Sequence, residues 1–106
     1  MKPARLRPSA KADLAEQALY YAEAAGAKLG DEFIDTALAA LGLLEDQPGI
    51  GSPRWNRPDQ LPVLRAWRLS RFPALWFYFE LEEYVDVARL LGEREDIAAI
   101  LIAGLD

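Results

Sequence analysis

A chain of 106 residues, 52% of them hydrophobic, is long enough for one core and not for two, so a single domain over 1–106 is expected. It contains neither Cys nor His, which excludes disulfides, thiolate metal sites and nucleophile–histidine catalysis. The formal charge of −5 argues against a broad electrostatic grip on nucleic acid.

No apolar run approaches the ~20 residues of a membrane span. The start, Met1-Lys2-Pro3-Ala4-Arg5, has no apolar signal region, and a cytoplasmic protein is expected. Residues 2–7 alternate as a short strand, with Ala4 and Leu6 on one side and Arg5 and Arg7 on the other. Flanking Pro3 and Pro8 suit an edge position. Ser9 then reads as the N-cap of a helix in which Leu14, Ala18, Tyr21, Ala22 and Ala25 recur at helical spacing. Lys11, Asp13, Glu16, Gln17 and Glu23 fall elsewhere on it, and Gly26 terminates it. A second helix is expected from Lys28 or Asp31 to Asp46, with Phe33, Ile34, Ala37, Leu38, Leu41 and Leu44 as its apolar stripe. Asp31 and Glu32 read as first-turn acids, and Pro48-Gly49 as the stop. So short a connection makes the two helices an antiparallel hairpin.

Gln47 to Pro62 is a Pro- and Gly-rich loop. Its Gly49-Ile50-Gly51 is no phosphate loop, because Arg54 stands where a third glycine is needed and no strand precedes it. Residues 62–91 then pack two of the three Trp and three of the four Phe among branched residues, the signature of half-buried pleated backbone. Breaks at Ser70 to Pro73 and at Glu82-Glu83 divide the run into three strands of an antiparallel meander. In the middle strand Leu75, Phe77, Phe79 and Leu81 share one face, and Ala74, Trp76, Tyr78 and Glu80 the other. The hairpin covers one side only, so the Trp76/Tyr78 face is expected to need a cover, from a partner protein or from the chain's own C-terminal segment. That segment starts charged at Glu93 and becomes apolar; Ile97, Ile100, Leu101 and Gly104 fit a short helix, with Ile100-Leu101-Ile102 as a strand the alternative.

From Arg54 to Arg71 there are five arginines (54, 57, 65, 68 and 71) and one acid, Asp59. A strand arginine is a solvated residue, an ion-pair partner or an anion-binding group. Trp55 and Trp67 beside Arg54, Arg57 and Arg68 would suit base stacking, but the net charge speaks against nucleic-acid binding by the chain alone. Arg65, Arg71 and Arg89 with Tyr78 or Tyr84 can stabilise charge on a phosphate, yet no side chain titrates near neutrality unperturbed. No catalytic residue, metal or cofactor is assigned. The candidate binding residues are Arg65, Trp67, Arg71, Trp76, Tyr78 and Arg89, the aromatic and arginine types that anchor interfaces.

The order of these elements meets particular residues: Arg7-Pro8-Ser9-Ala10-Lys11-Ala12-Asp13-Leu14, Tyr20-Tyr21, Phe33 with Leu41 and Leu44, and Gln47-Pro48-Gly49-Ile50-Gly51. Leu64-Arg65-Ala66-Trp67, Arg71-Phe72-Pro73, Leu75-Trp76-Phe77-Tyr78, Val87-Ala88-Arg89-Leu90-Leu91 and Glu95-Asp96-Ile97 follow. Over nearly its whole length the chain resembles the RelE/ParE superfamily of toxins from type II toxin–antitoxin pairs, the ParE branch in particular. The resemblance implies an α+β fold: an N-terminal strand, a helix hairpin, a three-stranded antiparallel meander completing one sheet, and a short C-terminal helix. It implies a bacterial toxin that is not an enzyme, poisons DNA gyrase by binding, and is neutralised by a ParD-like antitoxin. The alternatives are a RelE-like toxin cleaving messenger RNA on the ribosome and a degenerate, non-toxic antitoxin-binding member. Gly92-Glu93 stands where many relatives carry His-Gly, and Glu95 where Arg is usual before Asp96, which turns the reading away from the ribonuclease.

Overall fold

The computed structural model describes residues 1–105. A strand β1 (Ala4–Leu6) leads into helix α1 (Pro8–Ala25), which turns at Gly26 directly into α2 (Ala27–Asp46). A 3₁₀ turn (Pro48–Ile50) and a loop precede β2 (Leu64–Arg68), β3 (Ala74–Glu80), β4 (Val85–Gly92) and a short helix α3 (Ile97–Ala103). The fold is therefore the expected α+β arrangement, with four strands in the order β1-β4-β3-β2. The meander is antiparallel, and β1 joins it parallel to β4, making the sheet mixed. No helix among the described residues is long and apolar enough to cross a membrane.

The helix ends depart from expectation. Pro8 occupies the first helical position, where its missing N–H is no loss, and the N-cap position falls on Arg7 rather than Ser9. Ser9 lies inside the helix and donates to the Ala88 carbonyl at 3.1 Å instead. Gly26 takes φ 103°, a left-handed conformation few other residues tolerate, and so serves both helices as the hinge. Because α2 begins at Ala27, Asp31 and Glu32 fall beyond its first turn. Of its stripe, Phe33, Ala37, Leu41 and Leu44 are buried, whereas Leu38 is 48% exposed.

Two apolar layers sandwich the sheet. On one side the helix hairpin packs onto Trp76, Tyr78, Val85, Val87 and Leu90. On the other, Ile97, Ile100 and Leu101 of α3 cover Leu64, Ala66, Phe77, Phe79, Ala88 and Leu91. The faces are thus the reverse of what an exposed Trp76/Tyr78 surface required: both residues are fully buried, against the hairpin. Polarity explains the choice. Trp76 Nε1–H donates to Ala37 O at 3.0 Å. The Tyr78 hydroxyl donates to Pro48 O at 2.7 Å and accepts from Gly51 N at 2.9 Å. Buried aromatic N–H and O–H groups need such partners, and the Phe face under α3 needs none.

A register shift between Phe77 and Tyr78 opposite β4 marks a bulge, with Ala88 as the extra residue between the partners Val87 and Arg89. It changes the phase of β4, so that Val87 and Leu90 both face the hairpin and Ala88 and Leu91 both face α3. Past the end of β1, the outer edge of β4 has no strand beside it among the described residues. Helix α1 lies there instead. Ser9, Asp13 and Gln17, spaced one helical turn apart, reach Ala88 O (3.1 Å), Leu90 N (2.9 Å) and Leu90 O (2.8 Å).

Candidate functional site

The six candidate residues divide by their surroundings. Arg89 sits at the bulge, and its Nε and Nη2 donate to the two oxygens of Asp13 at 2.7 and 2.9 Å. The fork-on-carboxylate bond pushes the Arg89 guanidinium further above its ordinary range, against the opposing effect of burial. Trp76 and Tyr78 are core. Burial pushes the Tyr78 hydroxyl up, opposed by the Gly51 N–H and by the charge of Arg65. Arg65, opposite Tyr78 in the β2–β3 register, donates from Nη1 to Gly51 O at 2.8 Å. Tyr78 and Arg65 together therefore hold the Gly51 peptide from both its N–H and its C=O. No Cβ fits there: one added to Gly51 would lie 2.4 Å from the Tyr78 hydroxyl oxygen.

Trp67 and Arg71 lie nearer to solvent. Trp67, half-buried opposite Trp76, forms with Arg68, Leu69 and Ser70 one wall of a groove whose other wall is α2 at Asp35, Ala39 and Leu43; its volume is about 570 Å³. Arg71 follows in the β2–β3 turn, where it is the described non-glycine residue with positive φ, 71°. Its exposed guanidinium stands 5.4 Å from the Phe72 ring centroid and bonds Glu32 of α2 at 3.0 Å. The α2–β2 groove thus mixes apolar lining (Ala39, Ala40, Leu43, Trp67) with polar Asp35, Thr36, Arg68 and Ser70, and the Arg71–Glu32 pair ties the β2–β3 turn to α2. The basic cluster is also less free than the sequence implied, since Arg68 is paired with Glu93 at 2.6 Å.

Sequence reasoning missed two features. Asp13 was placed off the apolar face of α1, yet it is 9% exposed and serves β4. The spacing of Ser9, Asp13 and Gln17 was the available signal. The second is a cavity of about 400 Å³ between α3 and the loop that carries Trp55, Arg57 and Gln60, which becomes visible only once α3 is seated on the sheet.

The family model of the ParE toxin of type II toxin–antitoxin systems, parDE, matches residues 4–97. The chain belongs to the ParE toxin family. It is thus the toxin component of a type II toxin–antitoxin pair. Among solved structures, one described as the chromosomal ParDE toxin–antitoxin system from P. aeruginosa superposes with a TM-score of 0.71. The two chains are 18% identical, over 87% of this chain and 96% of the other, a likeness of fold. No curated protein matches. The ParE match reaches Ile97, the first residue of α3, and most of that helix lies beyond it.

Proposed function

We propose that this ParE-family toxin acts by binding, that its target is DNA gyrase, and that a ParD-like antitoxin neutralises it in the cytoplasm. Membership of the ParE family over residues 4–97 carries the reading. The side chains support binding over chemistry. The arginines a phosphodiester-cleaving site would draw on are engaged in the fold, Arg89 with Asp13 and Arg65 with Gly51 O. Of the six candidate residues, Trp67 and Arg71 contact the partner along the α2–β2 groove, while Arg65, Trp76, Tyr78 and Arg89 hold the surface in shape.

The test is induction of the chain in a bacterial host with pulse labelling of DNA and protein synthesis, followed by a supercoiling assay with purified gyrase. DNA synthesis should fall first, gyrase should be inhibited, and co-expression of the antitoxin encoded beside the toxin should restore growth. Protein synthesis falling first, with gyrase unaffected, would replace this reading with the ribosome-directed one. Growth unaffected by the folded chain would leave a non-toxic antitoxin binder.

A further inference from the structure

The turn between β2 and β3 reverses the chain between two buried anchors, Leu69 and Phe72, with Ser70 and Arg71 exposed between them. Phe72 drops into an aromatic cluster, its ring centroid 5.0 Å from that of Tyr21 and 5.1 Å from that of Phe33. The residue that precedes it, Arg71, takes φ 71°, in the left-handed region. Glycine adopts that conformation freely and asparagine readily, whereas for arginine it carries a steric cost. What the fold receives in return is small. The Arg71–Glu32 pair at 3.0 Å joins side chains 60% and 33% exposed, and an ion pair so open to water adds little stability. The guanidinium lies 5.4 Å from the Phe72 centroid, again at an exposed position. Glycine or asparagine would therefore serve this turn at least as well. A strained backbone that the fold does not require points to a use for the side chain it carries.

We propose that Arg71 is a residue through which the toxin grips its target, its guanidinium meeting a carboxylate on the target protein. The Nη2 bond to Glu32 is the side-chain hydrogen bond Arg71 makes among the described residues, which leaves other N–H donors of the fork to solvent. Glu32 and the Phe72 ring position the guanidinium before binding, and so lower the entropy cost of association. The surroundings select a protein carboxylate over the phosphates of nucleic acid. Glu32 stands beside the guanidinium, Asp35 lines the adjoining α2–β2 groove together with Ser70, and the chain carries −5 overall. A row of phosphates is repelled by such a surface, where a single carboxylate is met by one fork. Glu32 is then an internal competitor: it holds the guanidinium in the free toxin, and the target's carboxylate takes its place. The proposal rests on the reading that the toxin acts by binding, and adds to it one contact and the chemistry of the group contacted.

Graded induction of the full chain in a bacterial host, with the amount of toxin at half-maximal growth arrest measured by immunoblot, tests this beside urea midpoints of the purified variants. Arg71→Gly and Arg71→Asn should unfold at the wild-type midpoint or above it. Both should nevertheless need about tenfold more toxin, or more, for the same arrest. Glu32→Gln, which frees the guanidinium, should need about threefold less than the wild type. Midpoints below the wild type for both Arg71 variants would show that the fold needs the arginine, and would overturn the proposal. So would Glu32→Gln losing potency in step with Arg71→Asn, since the ion pair itself would then be the requirement. A labelled oligonucleotide bound by the wild type and released by Arg71→Asn would move the contact to phosphate, and overturn it as well. Arrest by the wild type and by Arg71→Asn at equal amounts ends the proposal alone. A wild-type chain that arrests no growth ends the target-binding reading and the proposal with it.

Discussion

The carboxylate of Asp13 accepts three hydrogen bonds from two consecutive residues of β4: Nε and Nη2 of Arg89, and the backbone N–H of Leu90. It lies on α1, 76 residues away from Arg89 in the chain, and joins the first helix to the bulge of the last strand. Removing it strands a guanidinium that is 23% exposed and a buried N–H. Asp13→Ala should therefore cost about 2–4 kcal/mol of stability in urea unfolding, the lower end reflecting that partial exposure. Arg89→Met added to it should recover part of the loss, because the unpaired charge is gone. If the double variant is no more stable than Asp13→Ala alone, the pairing is not the reason for the cost.

Alkaline pH should loosen the fold through Tyr78. Burial raises its folded-state pKa above the unfolded value of about 10. Below the unfolded value both states hold the proton and the contribution is complete. As pH rises through that value towards the raised one, the unfolded chain ionises while the folded chain resists, and stability falls. Urea midpoints measured from about pH 9 to 11 should drop more steeply for the wild type than for Tyr78→Phe. The Phe variant should start about 1–3 kcal/mol lower, with Pro48 O and Gly51 N left unpaired.

Gly51 is required for space rather than for its backbone angle. Its Cβ would meet the Tyr78 ring at 2.8 Å as well as the hydroxyl at 2.4 Å. Gly51→Ala should destabilise by about 1–3 kcal/mol. In Tyr78→Phe the closest contact is absent, so the double variant should lose less than the sum of the singles. Strict additivity in that cycle would show that the strain lies elsewhere.

The two tryptophans that face each other across β2 and β3 should behave differently. Trp76→Ala empties a fully buried site and should cost about 3–5 kcal/mol of stability. Trp67→Ala should leave a folded protein but weaken its ParD-like partner by about 2 kcal/mol in calorimetry, as an anchor of the α2–β2 groove. The reverse pattern would move the partner off that groove.

The hairpin was legible from its period of 3.6 along Phe33, Ala37, Leu41 and Leu44, and the meander from its density of aromatic and branched residues, whereas the terminal segment, too short for a period to decide, reads equally as helix or strand. Which face of β3 meets the hairpin was not legible, because both faces are apolar and a period of 2 treats them alike. The deciding facts are three-dimensional: Ala37 O and Pro48 O are available to the polar tips of Trp76 and Tyr78 only once the hairpin and the 3₁₀ turn are in place. The bulge at Ala88 was equally hidden, since a change of phase leaves no mark in a run such as Val87-Ala88-Arg89-Leu90-Leu91. Asp13 falls off the apolar stripe of α1, and a buried acid looks like any other until its partner on β4 is known. Of the candidate site, the residue types were visible in the chain, and their exposure was not.

At the other side of the sheet, the preceding loop engages the outward groups of Ala66 and Leu64 on β2: Ser52 exchanges two hydrogen bonds with Ala66, at 2.8 and 2.9 Å, and Asn56 Oδ1 takes the Leu64 N–H at 2.8 Å. The consequence is kinetic. A partner that extends the sheet at β2 must wait for this loop to lift. Its observed association rate would level off, at rising partner concentration, at the loop's own opening rate. A partner seated in a groove meets a surface already formed, and its rate keeps climbing in proportion to concentration. Stopped-flow mixing with the antitoxin thus reads out, from the shape of one curve, whether the toxin is silenced by its edge or by its faces.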